Sequence, residues 1–110
     1  MSDKLWKQNE RETAKRLGGK RVPITGRQRG DQPDIEHGAL SIECKHRNVI
    51  PNWIKDAVDQ AVASIKNPEQ VPIVQVHEKG ANRDNDLIIM RMIDFQALSW
   101  WEGDTNDAAK

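Results

Sequence analysis

Three charged side chains between residues 33 and 45 have the types that can bind a divalent cation and act on a phosphate: Asp34, Glu43 and Lys45. Carboxylates are hard oxygen ligands, which Mg²⁺ prefers, and Mg²⁺ keeps several waters beside one or two of them. A neighbouring lysine ammonium orients an attacking water or offsets charge that develops on a phosphate. These residues predict a Mg²⁺ site with hydrolytic chemistry. The plainer alternative is a solvated strand face.

A β-hairpin must position these side chains. Two short runs of alternating apolar and polar residues flank His37, Gly38 and Ala39, and this pattern predicts a turn in which Gly38 supplies a positive φ. Successive side chains of a strand point to opposite faces, so the three charged residues share the polar face. Cys44 falls on the apolar face, where we expect a small core residue and not a nucleophile.

The helix before the hairpin brings a third carboxylate into consideration. We predict a helix over residues 4–17 that stops at Gly18 and Gly19. Its inward stripe has helical spacing and consists of Trp6, Thr13, Ala14 and Leu17. Glu10 falls within that stripe, and a buried carboxylate is costly unless it is paired. Two interpretations stay open, namely a salt bridge to a nearby basic side chain and a third acidic ligand of the metal site.

The remaining pattern predicts an α/β domain. We expect short strands at residues 20–24, 71–77 and 87–93, helices at 52–66 and 95–101, a polar loop at 25–32 and a disordered tail at 102–110. Asp94 has the position of an N-cap for the last helix. The order is αβββαββα, which we interpret as one domain over residues 1–101, with a mixed central β-sheet flanked by helices.

The composition of the chain and the distribution of its charges limit the classes of function to be considered. The 110 residues carry no net charge, but residues 1–55 hold twelve Lys or Arg against seven Asp or Glu, and residues 56–110 hold five against ten. The basic residues concentrate between positions 4 and 29, a distribution that fits a polyanion-binding face. The single cysteine excludes an internal disulfide and a cysteine-based zinc site. Without a transmembrane-length apolar run or a signal-peptide h-region, we expect a cytoplasmic protein without membrane contact.

Pro33-Asp34 followed by Glu43-Cys44-Lys45 resembles the PD-(D/E)XK nuclease superfamily. The predicted element order is similar to the common core of that superfamily, and the resemblance covers about residues 4–98. Glu10-Arg11 matches the E-R pair on the first helix of resolvase-like members, and Thr25-Gly26 resembles their hydroxyl-glycine pair. Among subfamilies, the chain looks most like the small Holliday junction resolvases, including compact phage-type members.

The resemblance implies Mg²⁺-dependent hydrolysis of DNA phosphodiester bonds, with Mn²⁺ able to substitute. It implies that Asp34, Glu43 and the main-chain carbonyl of Cys44 ligate the metal, with Glu10 bound directly or through water. Lys45 would position the attacking water or stabilise the transition state. Gln60 on the second long helix is the candidate for a site-facing glutamine. An exposed helical glutamine is the equally plain alternative.

DNA contacts are expected from residues around this site: Arg11, Lys20, Arg21, Thr25, Arg27, Arg29, His46 and Arg47. For His46 an ordinary surface histidine is the favoured alternative. Two matched cuts in a four-way junction imply two copies of the domain, hence a homodimer, for which Trp100-Trp101 and residues 87–93 offer an interface. If the chain is phage-encoded, its place is the host cytoplasm.

Three other functions remain open. One is a nicking, flap or repair endonuclease of the same fold, and another is a catalytically inactive nucleic-acid-binding module. The third is a small structural protein in which Glu10 and Lys45 merely pair. The presence of Asp34, Glu43 and Lys45 together argues against the inactive module.

Overall fold

A computed structural model describes residues 2–22 and 33–101 of the chain. They form helix α1 (Ser2–Leu17), strands β1 (Lys20–Arg21) and β2 (Ile35–Glu36), helix α2 (Asn52–Ala63), strands β3 (Val74–Val76) and β4 (Leu87–Ile89), and helix α3 (Met92–Leu98). A 3₁₀ turn at Arg83–Asn85 precedes β4. The chain divides into two compact units: Met1–Asn48 with Trp100–Lys110, and Val49–Ser99.

Helix α1 of the first unit confirms the predicted amphipathic stripe. It begins at Ser2, earlier than residue 4, and ends where Gly18 takes a φ of +79°. Ala14 and Leu17 are buried, and so is Glu10. Gly19 lies so close to β2 that a Cβ atom there would come within 2.6 Å of Ile35 Cγ2 and 2.7 Å of the Glu36 carbonyl oxygen. The glycine therefore lets α1 turn directly into β1 against β2.

Strands β1 and β2 pair antiparallel, with Lys20 opposite Glu36 and Arg21 opposite Ile35. The pairing continues beyond the strands, because the Val22 N–H donates to the Asp34 carbonyl oxygen at 2.9 Å. Ile35 is fully buried and also bridges to Ile42 on the second arm of the hairpin. That arm, predicted as a full strand, forms only an isolated bridge at Ile42, beside which the Asp34 N–H donates to the Ile42 carbonyl oxygen at 3.0 Å.

The hairpin turn is built differently from the prediction. Gly38 does not take a positive φ, so the expected left-handed turn residue is wrong. The His37 ring holds the turn instead, since its Nδ1 accepts the N–H of Ala39 at 3.0 Å and of Leu40 at 3.2 Å. A side-chain acceptor at the start of a turn replaces the backbone hydrogen bond that a glycine turn would make.

Helix α2 of the second unit is amphipathic as predicted but ends at Ala63, before residue 66. The apolar residues of its stripe are half-buried, and none is fully buried: Ile54, Ala57, Val58, Ala61 and Val62. The helix ends because the Ser64 hydroxyl donates to the Gln60 carbonyl oxygen at 2.8 Å, and the Ser64 N–H bonds the carbonyls of Gln60 and Ala61. Local side-chain hydrogen bonds of this kind compete with the helical ladder.

Strands β3 and β4 pair antiparallel and are shorter than predicted, with Gln75 opposite Ile88. Val74 and Val76 are the half-buried residues of β3, whereas Ile73 is exposed; the alternation over residues 71–77 predicts Ile73 inward. The inward positions of this strand are therefore shifted by one residue from the prediction.

Helix α3 begins at Met92, because Arg91 and not Asp94 is its N-cap. The Arg91 carbonyl oxygen accepts the N–H groups of Asp94 and Phe95. Asp94 lies in the first turn, where the Arg91 Nε donates to its carboxylate at 2.7 Å. The N-cap prediction for Asp94 is wrong, although an acidic side chain in the first turn is still favourable.

The α/β class is confirmed: the described residues comprise three helices and two small antiparallel sheets, β1-β2 and β3-β4. The single mixed central sheet and the single domain over residues 1–101 stay predictions, and the expected tail at 102–110 lies outside the described residues. Within the described ranges, none of the helices has the length and apolar character needed to cross a membrane.

Candidate functional site

Asp34 is the best-anchored residue of the predicted site. Its backbone is fixed on both sides, because its N–H donates to the Ile42 carbonyl oxygen at 3.0 Å and its own carbonyl accepts the Val22 N–H. The side chain is 7% exposed, and Oδ2 accepts the N–H of Cys44 at 2.6 Å. The carboxylate of Asp34 thus sits against the main chain of the Glu43-Cys44-Lys45 segment. A buried carboxylate is stable there because it is hydrogen-bonded.

Glu10 lies on the buried face of α1 and is 5% exposed. Arg21 of β1 pairs with it, donating from Nε to Oε1 at 2.7 Å. The Arg21 side chain is itself 19% exposed, and its guanidinium lies 5.7 Å from the centre of the Trp6 ring. The expected salt bridge of Glu10 to a nearby basic residue is confirmed. It uses one carboxylate oxygen, so it leaves the interpretation of Glu10 as a metal ligand open.

Cys44 lies beside the buried Asp34 carboxylate, and the charges of the predicted site act on its thiol. Burial and then the charge of Asp34 raise the pKa of its thiol, and Glu10 and Glu43 raise this pKa further. A hydrogen bond with Thr13 of α1 acts in the opposite direction. Negative charge on these three residues therefore opposes formation of the Cys44 thiolate. The contact that fixes a carboxylate beside Cys44 is the bond from its N–H to Asp34.

Glu43 and Lys45 stand on the exposed face of their arm. Exposure alternates from Leu40 to Lys45 as the sequence predicts, with Cys44 half-buried between its neighbours. The Lys45 Nζ lies 3.7 Å from Glu43 Oε2, and both side chains are about two-thirds exposed (66% and 65%). An exposed ion pair of this kind adds little to stability. The ammonium is therefore free to change partners when a ligand binds.

The donor set fits Mg²⁺ in its chemistry, because Glu10, Asp34 and Glu43 offer carboxylate oxygens only. Within residues 2–22 and 33–101, no three His, Cys, Asp or Glu side chains are grouped as a complete metal-binding cluster. Mg²⁺ usually keeps several waters and takes one or two carboxylates, so it does not require such a cage. If it binds here, Asp34 and Glu43 with the Cys44 carbonyl would be the residues to hold it, and Glu10 stays a predicted further ligand.

The predicted DNA contacts are distributed unevenly over the described residues. Arg11, Lys20, His46 and Arg47 are exposed, whereas Arg21 is half-buried in its pair with Glu10. Thr25, Arg27 and Arg29 lie outside the described residues. Gln60 is an exposed residue of α2 in the second unit, and its contribution to the site stays a prediction.

His37 contributes to this region in a way that sequence reasoning missed. The His37 Nε2 lies 2.8 Å from the Leu17 carbonyl oxygen, and because Nδ1 accepts two backbone N–H groups, Nε2 must be the donor. The neutral ring thus ties the hairpin turn to the end of α1. Trp101, which is 3% exposed, packs edge-on against it with ring centres 6.0 Å apart.

The two adjacent tryptophans, both offered by the sequence as part of a dimer interface, differ in exposure. Trp100 is 59% exposed and meets the buried Trp101 edge-on at 5.6 Å. Of the two, Trp100 is therefore the side chain that a partner could contact.

No protein-family model matches this chain, and no curated protein or solved structure matches it either.

Proposed function

We propose that this chain is a Mg²⁺-dependent DNA endonuclease, most like the small Holliday junction resolvases of the PD-(D/E)XK superfamily. The observation that carries the proposal is the buried Asp34 carboxylate, which accepts the Cys44 N–H at 2.6 Å and so lies against the main chain of the Glu43-Cys44-Lys45 segment. Carboxylates and a lysine that share such a setting are candidates for a functional site.

In this proposal each side chain of the hairpin has a distinct role. Asp34 and Glu43, with the Cys44 carbonyl, hold Mg²⁺, which when bound supplies Lewis-acid polarisation of the scissile phosphate. Glu10 contacts the same site directly or through a water. Lys45, exposed and only weakly paired with Glu43, orients the attacking water or stabilises negative charge on the phosphate.

The finer fold belongs to the same proposal. The isolated bridge between Ile35 and Ile42 and the Asp34–Ile42 backbone bond support a third strand after β1 and β2, in the proposed order αβββαββα. We propose that one mixed sheet with this order carries the site. The basic residues near it, including the exposed Arg11, Lys20 and Arg47, would contact the DNA phosphates.

The test is a cleavage assay on linear, nicked, flapped and four-way DNA with Mg²⁺, with Mn²⁺, and with EDTA. We expect metal-dependent cleavage of the four-way junction. Asp34→Asn and Glu43→Gln should each lower the rate by at least about 100-fold, which is the scale for losing a group that acts on the reacting phosphate. The matched control is Glu36→Gln, an exposed carboxylate on β2 two residues from Asp34, which should keep full activity.

The substrate panel separates the alternatives. Cleavage of flaps or nicked duplexes with intact junctions would replace the resolvase assignment by another endonuclease of the same type. DNA binding without cleavage under any metal would leave a binding module. Sedimentation at the assay concentration tests the proposed homodimer, because paired cuts across a junction need two sites. Full activity in Asp34→Asn would overturn the metal assignment itself.

A further inference from the structure

We propose that Arg21 is a positioning residue for Glu10: it fixes the Glu10 carboxylate by one oxygen so that the other faces the metal site. The inference rests on the proposed function and reassigns Arg21, which the sequence suggested as a DNA contact. It starts from a geometric fact, since the Arg21 Nε donates to Oε1 of Glu10 at 2.7 Å and leaves Oε2 outside this bond.

The environment of the pair favours a fixed geometry. The side chains of Glu10 and Arg21 are 6% and 19% exposed, so water competes little with their bond. Arg21 is held in turn by the β1–β2 ladder, where it lies opposite Ile35, and its guanidinium lies over the Trp6 ring at 5.7 Å. Ile35 directly follows Asp34 in the chain. The β1–β2 pair thus fixes the position of Arg21, the partner of Glu10, together with that of Asp34, which precedes Ile35.

The backbone bonds agree with this orientation. Val22, the residue after Arg21, donates its N–H to the Asp34 carbonyl oxygen at 2.9 Å, so the strand that carries the partner of Glu10 also borders Asp34. A carboxylate on α1 has several rotatable bonds, and without Arg21 it would sample other positions. Residues that bind the ligands of a metal, without touching it, typically change metal affinity by about 10-fold to 100-fold.

A lysine cannot take over this role, although it conserves the charge. Arg presents a rigid planar fork that sets the plane of a carboxylate, whereas the lysine ammonium is a flexible point charge. Arg21→Lys therefore separates positioning from simple charge compensation. A role that is only structural would lower stability without changing metal affinity specifically through Glu10.

The experiment is a double-mutant cycle on the full chain, with Mn²⁺ as the probe and the free ion counted by electron paramagnetic resonance. Wild type, Arg21→Lys, Glu10→Gln and the double variant are titrated, and circular dichroism verifies that each is folded. If Arg21→Lys does not fold, Arg21→Gln forms a second cycle in which a planar amide replaces the guanidinium. Arg91→Lys is the matched control, because Arg91 also donates from Nε to a carboxylate at 2.7 Å, but as an exposed pair in the second unit.

We expect Arg21→Lys to weaken Mn²⁺ binding about 10-fold in the wild-type background and less than about twofold when Glu10 is already Gln, because interacting residues are non-additive. Arg91→Lys should leave the affinity unchanged. An equal loss in both backgrounds, or no loss at all, would overturn the positioning role while leaving the metal site intact. If wild type takes up no Mn²⁺, the proposed function fails and this inference fails with it.

Discussion

Cys44 makes the candidate site accessible to a chemical measurement, because it is the single thiol of the sequence. Burial and the charge of Asp34 raise its pKa, with smaller contributions from Glu10 and Glu43, so the thiolate forms only at a pH above the ordinary range. Only the thiolate reacts with alkylating reagents. The rate of alkylation as a function of pH therefore reports both the burial of the thiol and the negative charge around it.

We predict that Asp34→Asn lowers the pKa of Cys44 more than Glu43→Gln does, since Asp34 contributes more to the upward shift. Each substitution removes a negative charge that opposes the thiolate, so the midpoint of the alkylation profile should move toward lower pH. Rates with iodoacetamide in EDTA, from neutral to strongly alkaline pH, measure it. Equal midpoints for Asp34→Asn and wild type would show that the carboxylate does not act on the thiol.

At the residue level, the sequence indicates which carboxylates are unusual but not what they bind. Glu10 is predicted to be inward by helical spacing, and its burial confirms this. Arg21 cannot be identified as the partner of Glu10 from the sequence, because several basic residues are close to Glu10 in the chain. The pairing of β1 with β2 is what places Arg21, and not another of them, beside Glu10. His37 is missed for a similar reason: its two ring nitrogens act only once the turn and the end of α1 are adjacent.

At the level of elements, the junction between α1 and the β1–β2 pair depends on a glycine. We predict that Gly19→Ala destabilises the protein by about 1–3 kcal/mol, because the new Cβ would come within 2.6 Å of Ile35 Cγ2 and 2.7 Å of a backbone oxygen. Gly38→Ala is the matched control. Nothing lies within 4 Å of a Cβ there and φ is not positive, so its effect should stay within about 0.5 kcal/mol.

Urea unfolding followed by tryptophan fluorescence measures both variants. Equal urea midpoints for Gly19→Ala and Gly38→Ala would contradict the close packing of Gly19, just after α1, against β2. A lower midpoint for Gly19→Ala alone would support the packing on which the positions of Glu10 and Asp34 depend.

Element types were more predictable than element ends. The helical period identified α1 and α2 because their apolar stripes extend over several turns. The strands are short, so two or three alternating residues leave the inward positions ambiguous, and β3 differs from the prediction by one position. The start of α3 was decided by the Arg91–Asp94 ion pair and the Arg91 carbonyl, interactions that a propensity for Asp at N-caps does not include.

At the level of the whole molecule, the chain has no net charge, but most of its basic residues lie in residues 1–55, the half of the sequence that also contains the carboxylates of the candidate site. We predict that DNA affinity falls steeply with salt, because each neutralised phosphate releases counterions. Replacing Arg27 and Arg29 by Gln should weaken binding to all sequences alike and make the logarithmic salt slope shallower by roughly 0.9 for each phosphate that is no longer neutralised. Arg83→Gln, exposed in the acid-rich half, is the control.

Fluorescence anisotropy with labelled duplexes and junctions, over a range of salt concentrations, provides these slopes. A loss confined to particular base sequences would contradict phosphate contact and indicate base readout instead. An unchanged slope would remove the two arginines from the binding surface.

The unit that carries the carboxylates is discontinuous in sequence, since it combines Met1–Asn48 with the segment that begins at Trp100. The buried Trp101 belongs to it and packs on His37, which is itself bonded to the end of α1. Domains fold as units during synthesis, starting from the N-terminus. On the ribosome, the acidic residues are therefore made first, but the unit around them closes only after the whole of Val49–Ser99 has emerged. Nascent chains that stop before Trp100 should therefore lack the Trp101–His37 contact that completes this unit.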